Sequence, residues 1–136
     1  MLRILVRALT ALVLVVLLLG AIEMVAAESG EVVVLRTVDA AGAPHETRLW
    51  IVDDDGRAWL RAGSEQARWY QLLRERPEVE VVRGDQVLVV RARPEPDARA
   101  RINELMRAKY GWADVYIGAL FDRSDAIPIR LAPRAP

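Results

Sequence analysis

Apolar and polar residues are distributed differently before and after residue 30. The first part contains an uncharged run from Ala8 to Ile22, fifteen residues in which leucine and valine occur on every side. A helix of that kind has no polar face to turn toward water, and roughly 20 apolar residues span a bilayer. Residues 1–27 are therefore predicted to be a helical membrane anchor or a signal peptide.

The charges around this run bear on the choice between the two. A signal peptide would be cut after the small residues at Val25–Ala27, and Glu23 is an awkward residue inside a cleavage region, which favours the anchor. Arg3 and Arg7 precede the run, so the positive-inside rule predicts a cytoplasmic N-terminus and an extracytoplasmic domain. The alternatives are an exported soluble domain, left after signal cleavage, and a domain that faces the cytoplasm.

Residues 31–133 contain the short segments that are typical of strands. An Asp-Gly pair at Asp55 and Gly56 is a strong hairpin signal. Six strands are predicted, at 31–38, 45–52, 57–62, 78–83, 87–93 and 126–133. The hairpins, a short helix in the middle and a late strand indicate a mainly β (α+β) domain, a small six-stranded antiparallel barrel with two or three short helices.

The segment SEQARWYQLLRERPEV, residues 64–79, is predicted to form the helix between the third and fourth strands. Ser64 is a favourable N-cap, and Pro77 ends the helix. A buried stripe of large apolar residues at helical spacing is predicted on it: Trp69, Leu72 and Leu73. Tyr70 points about 100° away from Trp69, and its alternatives are core packing and a position at the edge of a pocket.

Two later segments also have helical spacing. One runs from a cap at Asp97 to Gly111, and Trp112–Phe121 is either a further helix or a structured loop. Aromatic residues follow each other there, at Tyr110, Trp112 and Tyr116. Their alternatives are core packing, the substrate side of a pocket or a dimer contact.

The composition narrows the possible chemistry. Lys plus Arg and Asp plus Glu both number 19, so the formal net charge is zero and no nucleic-acid partner is expected. The absence of cysteine excludes disulfides, thiolate metal sites and a cysteine nucleophile. A single histidine, His45, disfavours a histidine-built zinc site. Three consecutive carboxylates, Asp53, Asp54 and Asp55, are interpreted as a solvated turn, and no metal site is expected.

Several motifs together resemble a known superfamily. GAPHETRLWIV at 42–52, WLRAGSEQARWYQLLRERPEVEV at 59–81, a helix ending in KYG and the final IPIRLAP are similar to the split β-barrel flavin and deazaflavin reductases, which include pyridoxamine phosphate oxidase-like proteins. In particular, the chain resembles the deazaflavin-dependent nitroreductase and quinone reductase branch. The branch's WY-x-N-L-x-x-N-P-x-V-x-V junction is matched in its apolar frame, at Trp69, Tyr70, Leu72, Leu73, Pro77, Val79 and Val81. The resemblance covers about residues 31–133.

This resemblance implies a split β-barrel homodimer that binds a deazaflavin coenzyme or FMN at its subunit interface. The cofactor carries the hydride chemistry, and the protein positions it. A helix start offers free N–H groups to a phosphate, and nearby arginines can clamp an anion. The cofactor-binding residues expected on this basis are His45, Thr47, Arg48, Arg61, Ala62, Gly63, Ser64, Arg68 and Trp69. No catalytic residue is assigned.

One stretch departs from the pattern of the branch. Members usually carry G-R-K-S-G-x-x-R-x-x-P-L, whose Arg, Lys and Ser bind the acidic tail of the cofactor. Asp39, Ala40 and Ala41 stand in those places here, with His45 at the later Arg and Arg48 at the Pro.

Two hypotheses about function follow. The first is a membrane-tethered reductase that uses FMN or a deazaflavin to reduce a quinone, a nitro compound or a similar small lipophilic acceptor. The second is a non-enzymatic split barrel that has lost its cofactor site and serves as a binding or structural module.

Overall fold

Six antiparallel strands, joined by hairpins and short helices, close into a barrel. The computed structural model describes residues 1–28 and 30–134. The strands are β1 (Val32–Val38), β2 (Pro44–Asp54), β3 (Arg57–Ala62), β4 (Glu78–Arg83), β5 (Gln86–Pro94) and β6 (Ile127–Pro133). The helices are α1 (Leu2–Ala27), α2 (Arg68–Glu75), α3 (Arg99–Tyr110) and α4 (Trp112–Leu120), with a 3-10 turn at Pro96–Ala98. The strand order is β1-β2-β3-β6-β5-β4, so the six-stranded barrel and the N-terminal helix are confirmed.

The hairpin between β2 and β3 forms where the Asp-Gly pair predicts it. Asp55 and Gly56 have φ angles of 51° and 70°, and positive φ at both central residues is the signature of a type I′ turn. The partners across the turn are Asp54 and Arg57. A two-residue turn fixes the register, and the register decides which side chains of β2 face the barrel interior.

The start of β2 has an unpaired edge. Pairing between β2 and β3 begins at Ile51 and Leu60, whereas β2 pairs with β1 from Pro44 to Trp50. Among the described residues, 44–50 of β2 therefore have a strand neighbour on one side only. We call this segment the open edge of β2. Its backbone groups are available to a ligand or to another chain.

Apolar residues form two layers. The barrel interior is filled by residues of all six strands together with Tyr70 and Leu73 of α2. A second cluster lies outside the barrel, where α3 packs against β2 and β3; its members are Val52, Trp59, Ile102, Met106 and Tyr110. Helix α4 has no comparable apolar contact, because only Ala113 and Asp114 of that helix are buried.

Both predicted helix caps are wrong. Helix α2 begins at Arg68, and its N-cap residue Ala67 makes no side-chain hydrogen bond. Ser64 closes a turn instead, since its carbonyl oxygen accepts the N–H of Ala67 at 3.3 Å. The chain makes a turn before the helix starts, so the N-cap lies three residues later than predicted. Asp97 lies within the 3-10 turn ahead of α3, which likewise has no side-chain cap.

The buried stripe of α2 also differs from the prediction. Tyr70 is 5 % exposed and Leu73 is fully buried, whereas Trp69 is only partly buried against the barrel core. Residues three apart share a helix face, so Tyr70 and Leu73 point into the barrel together. Trp69 meets Tyr70 edge-on, with ring centroids 6.5 Å apart. Tyr70 is therefore a core residue, which is the first of its two alternatives, and it does not lie at a pocket edge.

We expect Leu73→Ala to lower the free energy of unfolding by about 2–5 kcal/mol, the usual cost of truncating a buried leucine. Leu73 is fully buried among the side chains of the barrel core. Leu72→Ala is the matched control, because the neighbouring Leu72 is only half-buried, and it should cost clearly less. Chemical denaturation of the full chain in detergent, followed by circular dichroism, measures both. Equal losses would contradict this packing.

Candidate functional site

A small pocket lies where the end of α1, the strands β2 and β3, and α4 meet. Its volume is about 160 Å³, and its walls combine apolar side chains with three arginines. The lining residues are Ala27, Arg48, Leu49, Trp50, Arg61, Ile117 and Arg123. We call it the arginine pocket. Pockets that enclose a whole small molecule usually reach about 300–1,000 Å³, so this one has room for a single group of a ligand.

Asp114 joins two of these arginines inside the protein. Arg61 Nη2 donates to Asp114 Oδ1, and Arg123 Nη2 lies 3.3 Å from the same oxygen. The side chains of Arg61 and Asp114 are each 5 % exposed. Asn103 accepts from Arg61 Nη1 at 3.2 Å and donates to the carbonyl oxygen of Arg123 at 3.4 Å. One buried carboxylate therefore faces two guanidinium groups.

Positive charge exceeds negative charge around the arginine pocket. Arg48 Nε donates to Glu28 Oε1 at 2.7 Å, and Arg48 Nη2 bonds the other oxygen of that carboxylate. The described side chains thus supply three guanidinium groups against two carboxylates. Burial, and then the charge of Arg61, lower the pKa of Arg123. Arg123 Nε is buried without a hydrogen-bond partner in the described part of the chain. This surplus of charge and donors suits a negatively charged group.

The end of α1 is bonded to the barrel next to this pocket. Ala26 is fully buried, and the carbonyl oxygen of Ala27 accepts a hydrogen bond from Trp50 Nε1 at 2.8 Å. Tyr110 stacks on Trp50 with ring centroids 4.3 Å apart. The Tyr110 hydroxyl also lies 2.7 Å from the carbonyl oxygen of Glu31, and burial raises the pKa of Tyr110 to about 12. The last turn of α1 is therefore part of the folded domain.

An ionic cluster surrounds Glu31, just before β1. Arg83 Nε donates to Glu31 Oε1 at 2.6 Å, and Arg83 also bonds Asp53 at 2.9 and 2.6 Å. Lys109 Nζ lies 2.5 Å from Glu31 Oε2. The hydrogen bond from Arg83, and then that from Lys109, lower the pKa of Glu31. The cluster connects Glu31, which lies between α1 and β1, to β2, β4 and α3.

The structure brings two of the nine expected cofactor-binding residues into this pocket, namely Arg48 and Arg61. His45 is engaged elsewhere, since its Nε2 lies 2.9 Å from Asp39 Oδ2. The Asp39 carboxylate also accepts two backbone N–H groups of its own turn. These hydrogen bonds, with that of His45 first, lower the pKa of Asp39. The Asp39 carboxylate is therefore hydrogen-bonded by partners within the hairpin between β1 and β2.

The other expected residues lie on the open edge of β2, at the end of β3, in the connection from β3 to α2 and at the start of α2. They are Thr47, Ala62, Gly63, Ser64, Arg68 and Trp69. Ala62 is fully buried, whereas Gly63 and Arg68 are exposed. A side chain at Gly63 would meet no atom within 4 Å, so a ligand has space to approach the backbone there. No hydrogen bond or ion pair between described side chains joins these six to the arginine pocket.

Sequence reasoning missed Asn103, Asp114 and Arg123. A signal for Asp114 was present, because it is the one charged residue among the nine of α4. A carboxylate that is buried in an apolar helix needs a partner. Its partner Arg61 lies 53 residues away, and no local pattern connects the two. Arg123 falls in the irregular segment before β6, where a charged residue is unremarkable.

We expect Asp114→Ala to lower the free energy of unfolding by about 3–5 kcal/mol, because it leaves Arg61 and Arg123 without their shared counter-charge. Asp85→Ala removes an exposed carboxylate from the turn between β4 and β5 and should change stability by no more than about 0.5 kcal/mol. Denaturant titrations of both variants provide the comparison. Similar values for the two would show that the buried pair does not hold α4 in place.

Comparison with known proteins gives one match by sequence family. A family model described as F420H(2)-dependent quinone reductase matches residues 19–132 of the chain. No curated protein matches the sequence.

Solved structures match the fold over most of the chain. An F420-H2 dependent reductase is 26 % identical, with a TM-score of 0.57 over 73 % of this chain and 92 % of that one. A putative pyridoxamine 5'-phosphate oxidase from Listeria innocua is 17 % identical, with a TM-score of 0.58 over 82 % and 90 % of the two chains. A structure described as a domain-swapped dimer is 24 % identical, with a TM-score of 0.59 over 74 % and 78 %. The last two matches establish the fold alone.

Proposed function

We propose a function from one premise: the chain belongs to the F420H(2)-dependent quinone reductase family, a family of deazaflavin-dependent oxidoreductases. On this basis it reduces a quinone or a similarly lipophilic acceptor with a reduced deazaflavin coenzyme at a membrane. The observation that carries the proposal is the arginine pocket, which combines surplus positive charge with a position beside the end of α1. When bound, the deazaflavin would supply the hydride, and the protein would supply position and electrostatics.

The arginine pocket fits a negatively charged group of the coenzyme. Arg48, Arg61 and Arg123 are the residues that would hold it, because three guanidinium groups there face only two carboxylates. The unpartnered Nε of Arg123 offers one further donor. The turn at Asp39 presents a carboxylate instead of a cation, and that carboxylate already bonds two backbone N–H groups and His45. We infer that the anion-binding role of the family's usual stretch has moved from this hairpin to the arginine pocket.

We infer that the rest of the coenzyme lies along the open edge of β2. Thr47 lies on that edge, and Gly63 and Ser64 lie in the connection that follows β3. Gly63 permits close approach to the backbone, and Arg68 adds an exposed cation at the start of α2. FMN is the alternative coenzyme, and a parallel titration with FMN distinguishes the two.

We propose that residues 1–27 remain attached as a membrane anchor for the barrel domain, residues 31–133. Helix α1 has an 18-residue window of mean hydropathy 2.7 that is 0 % buried, as a membrane span or a signal sequence requires. Cleavage after Ala27 would separate Ala26, which is buried, from the domain. It would also remove Ala27, whose carbonyl oxygen accepts the hydrogen bond from Trp50 Nε1. These contacts favour retention of the helix.

Arg3 and Arg7 support a cytoplasmic N-terminus and an extracytoplasmic barrel. A reporter that is active only outside the cytoplasm, fused to the C-terminus of the full chain, is expected to be active. An inactive reporter, together with an active cytoplasmic reporter at the same position, would place the barrel in the cytoplasm, where the coenzyme is reduced. Immunoblotting of the membrane fraction for a chain of full length tests retention of α1 in the same cells.

We also propose that the protein forms a homodimer through the outer face of β1, β4 and β5. Val38, Val87 and Val89 are 40, 53 and 45 % exposed there, and the strand registers place Val89 beside Glu80 of β4. The similarity to a domain-swapped dimer supports assembly of this fold. Sedimentation of the detergent-solubilised chain measures the state, and a monomer at high concentration would overturn this part of the proposal.

We expect Arg48→Ala to weaken binding of the deazaflavin coenzyme by about tenfold or more, through loss of a charge-assisted contact. Arg101→Ala is the control, because Arg101 and Arg48 are similarly exposed and both are ion-paired, Arg48 with Glu28 and Arg101 with Asp54 and Glu104. Fluorescence titration of the full chain in detergent measures affinity, and reduction of a soluble quinone measures activity. Equal affinities in the two variants would remove the arginine pocket from the coenzyme site. A wild-type chain that binds neither coenzyme would favour the non-enzymatic hypothesis.

A further inference from the structure

The exposed face of α4 is apolar and uncharged. Trp112, Val115 and Leu120 are 58, 56 and 53 % exposed, and Phe121, directly after the helix, is 53 % exposed. The three helical residues fall on one side of α4 by their spacing. Asp114, the one charged residue of the helix, is turned into the protein. Contiguous exposed apolar surface of this kind marks a contact surface.

The contact between α4 and α1 sets the depth of this face. The Tyr116 hydroxyl of α4 donates to the carbonyl oxygen of Leu19 at 3.3 Å. Leu19 lies inside the uncharged run of α1 and four residues before Glu23, which is about 6 Å along a helix axis. A bilayer that surrounds α1 as far as Glu23 therefore extends past Tyr116.

We propose that α4 lies in the lipid headgroup region and turns Trp112, Val115, Leu120 and Phe121 toward the acyl chains. This inference rests on the proposed role of α1 as a membrane anchor. The bilayer is the partner that contacts this face, because the face adjoins α1, and the apolar 18-residue window of α1 is 0 % buried by protein. Tryptophan and tyrosine are also the side chains that concentrate at this depth of a membrane.

This placement deepens the proposed function. Ile117 of α4 and Ala27 of α1 both line the arginine pocket, so a membrane-bound α4 holds the pocket at the level of the headgroups. A lipophilic acceptor would then reach the site by lateral diffusion within the bilayer. Two contacts with the membrane, α1 and α4, would also prevent the barrel from tilting about its anchor.

The absence of cysteine from the chain allows a single-label experiment. An environment-sensitive fluorophore is attached to Val115→Cys or Leu120→Cys in the full chain, reconstituted in phosphatidylcholine vesicles. Glu75→Cys is the control, because Glu75 is exposed on α2 and lies outside both α4 and the proposed dimer face, and Leu14→Cys reports on α1. Quenching by a lipid with a nitroxide near the headgroup is compared with quenching by aqueous iodide.

Labels at 115 and 120 are expected to emit at shorter wavelength than the label at 75 and to lose fluorescence to the nitroxide lipid but not to iodide. If the label at 14 senses lipid while those at 115 and 120 respond only to iodide, the role of α4 is overturned and the anchor stands. If the label at 14 does not sense lipid, the anchor and the inference fail together. Labels at 115 and 120 that are shielded from both quenchers would mean that protein covers α4, which also overturns the inference.

Discussion

Helix α4 is held on the barrel by a buried carboxylate rather than by an apolar interface. Asp114 and Ala113 are its only buried residues, and Asp114 bonds Arg61 of β3 and Arg123 together. A buried ion pair adds little net stability over apolar side chains of similar volume, but its loss is costly. The ion pair constrains the position of α4 more than it adds to stability, because α4 must lie where Arg61 and Arg123 can both reach one oxygen atom of Asp114. The wall of the arginine pocket and the exposed face of α4 depend on that position.

A second set of contacts fixes α1 at the same end of the barrel. Trp50 bonds the carbonyl oxygen of Ala27, and Tyr110 stacks on Trp50 and reaches the backbone at Glu31. Gly30 adopts a φ of +74°, and a side chain there would come within 3.0 Å of the Tyr110 ring. The direction of α1 is therefore determined by the barrel. The Tyr116 hydroxyl of α4 also bonds the carbonyl oxygen of Leu19, so α1 contacts the domain at two places.

The sequence predicts the strands well and the site poorly, for different physical reasons. Strand segments depend on local β-branched residues and on turns such as Asp55-Gly56, so their bounds agree within about two residues. On α2, Trp69 with Leu72 and Tyr70 with Leu73 both satisfy helical spacing, and only packing against the barrel decides that Tyr70 and Leu73 are buried. The site depends on contacts between residues distant in the chain. Arg61 and Asp114 are an example that no periodicity contains.

The difference between local sequence signals and contacts between distant residues also applies to the β1–β2 hairpin, where the chain departs from the family pattern. In the sequence, Asp39 stands where the family has a cation, which indicates that the hairpin has lost an anion site. The structure of the hairpin is consistent with this loss, since Asp39 bonds His45 and the backbone of its own turn. In three dimensions, positive charge is present on β2, β3 and the segment after α4, at Arg48, Arg61 and Arg123. These cations adjoin the end of α1, whereas the hairpin does not line this pocket. A coenzyme group held there would bring the hydride donor toward α1, which is the proposed membrane anchor, and a lipophilic acceptor is most concentrated in a membrane.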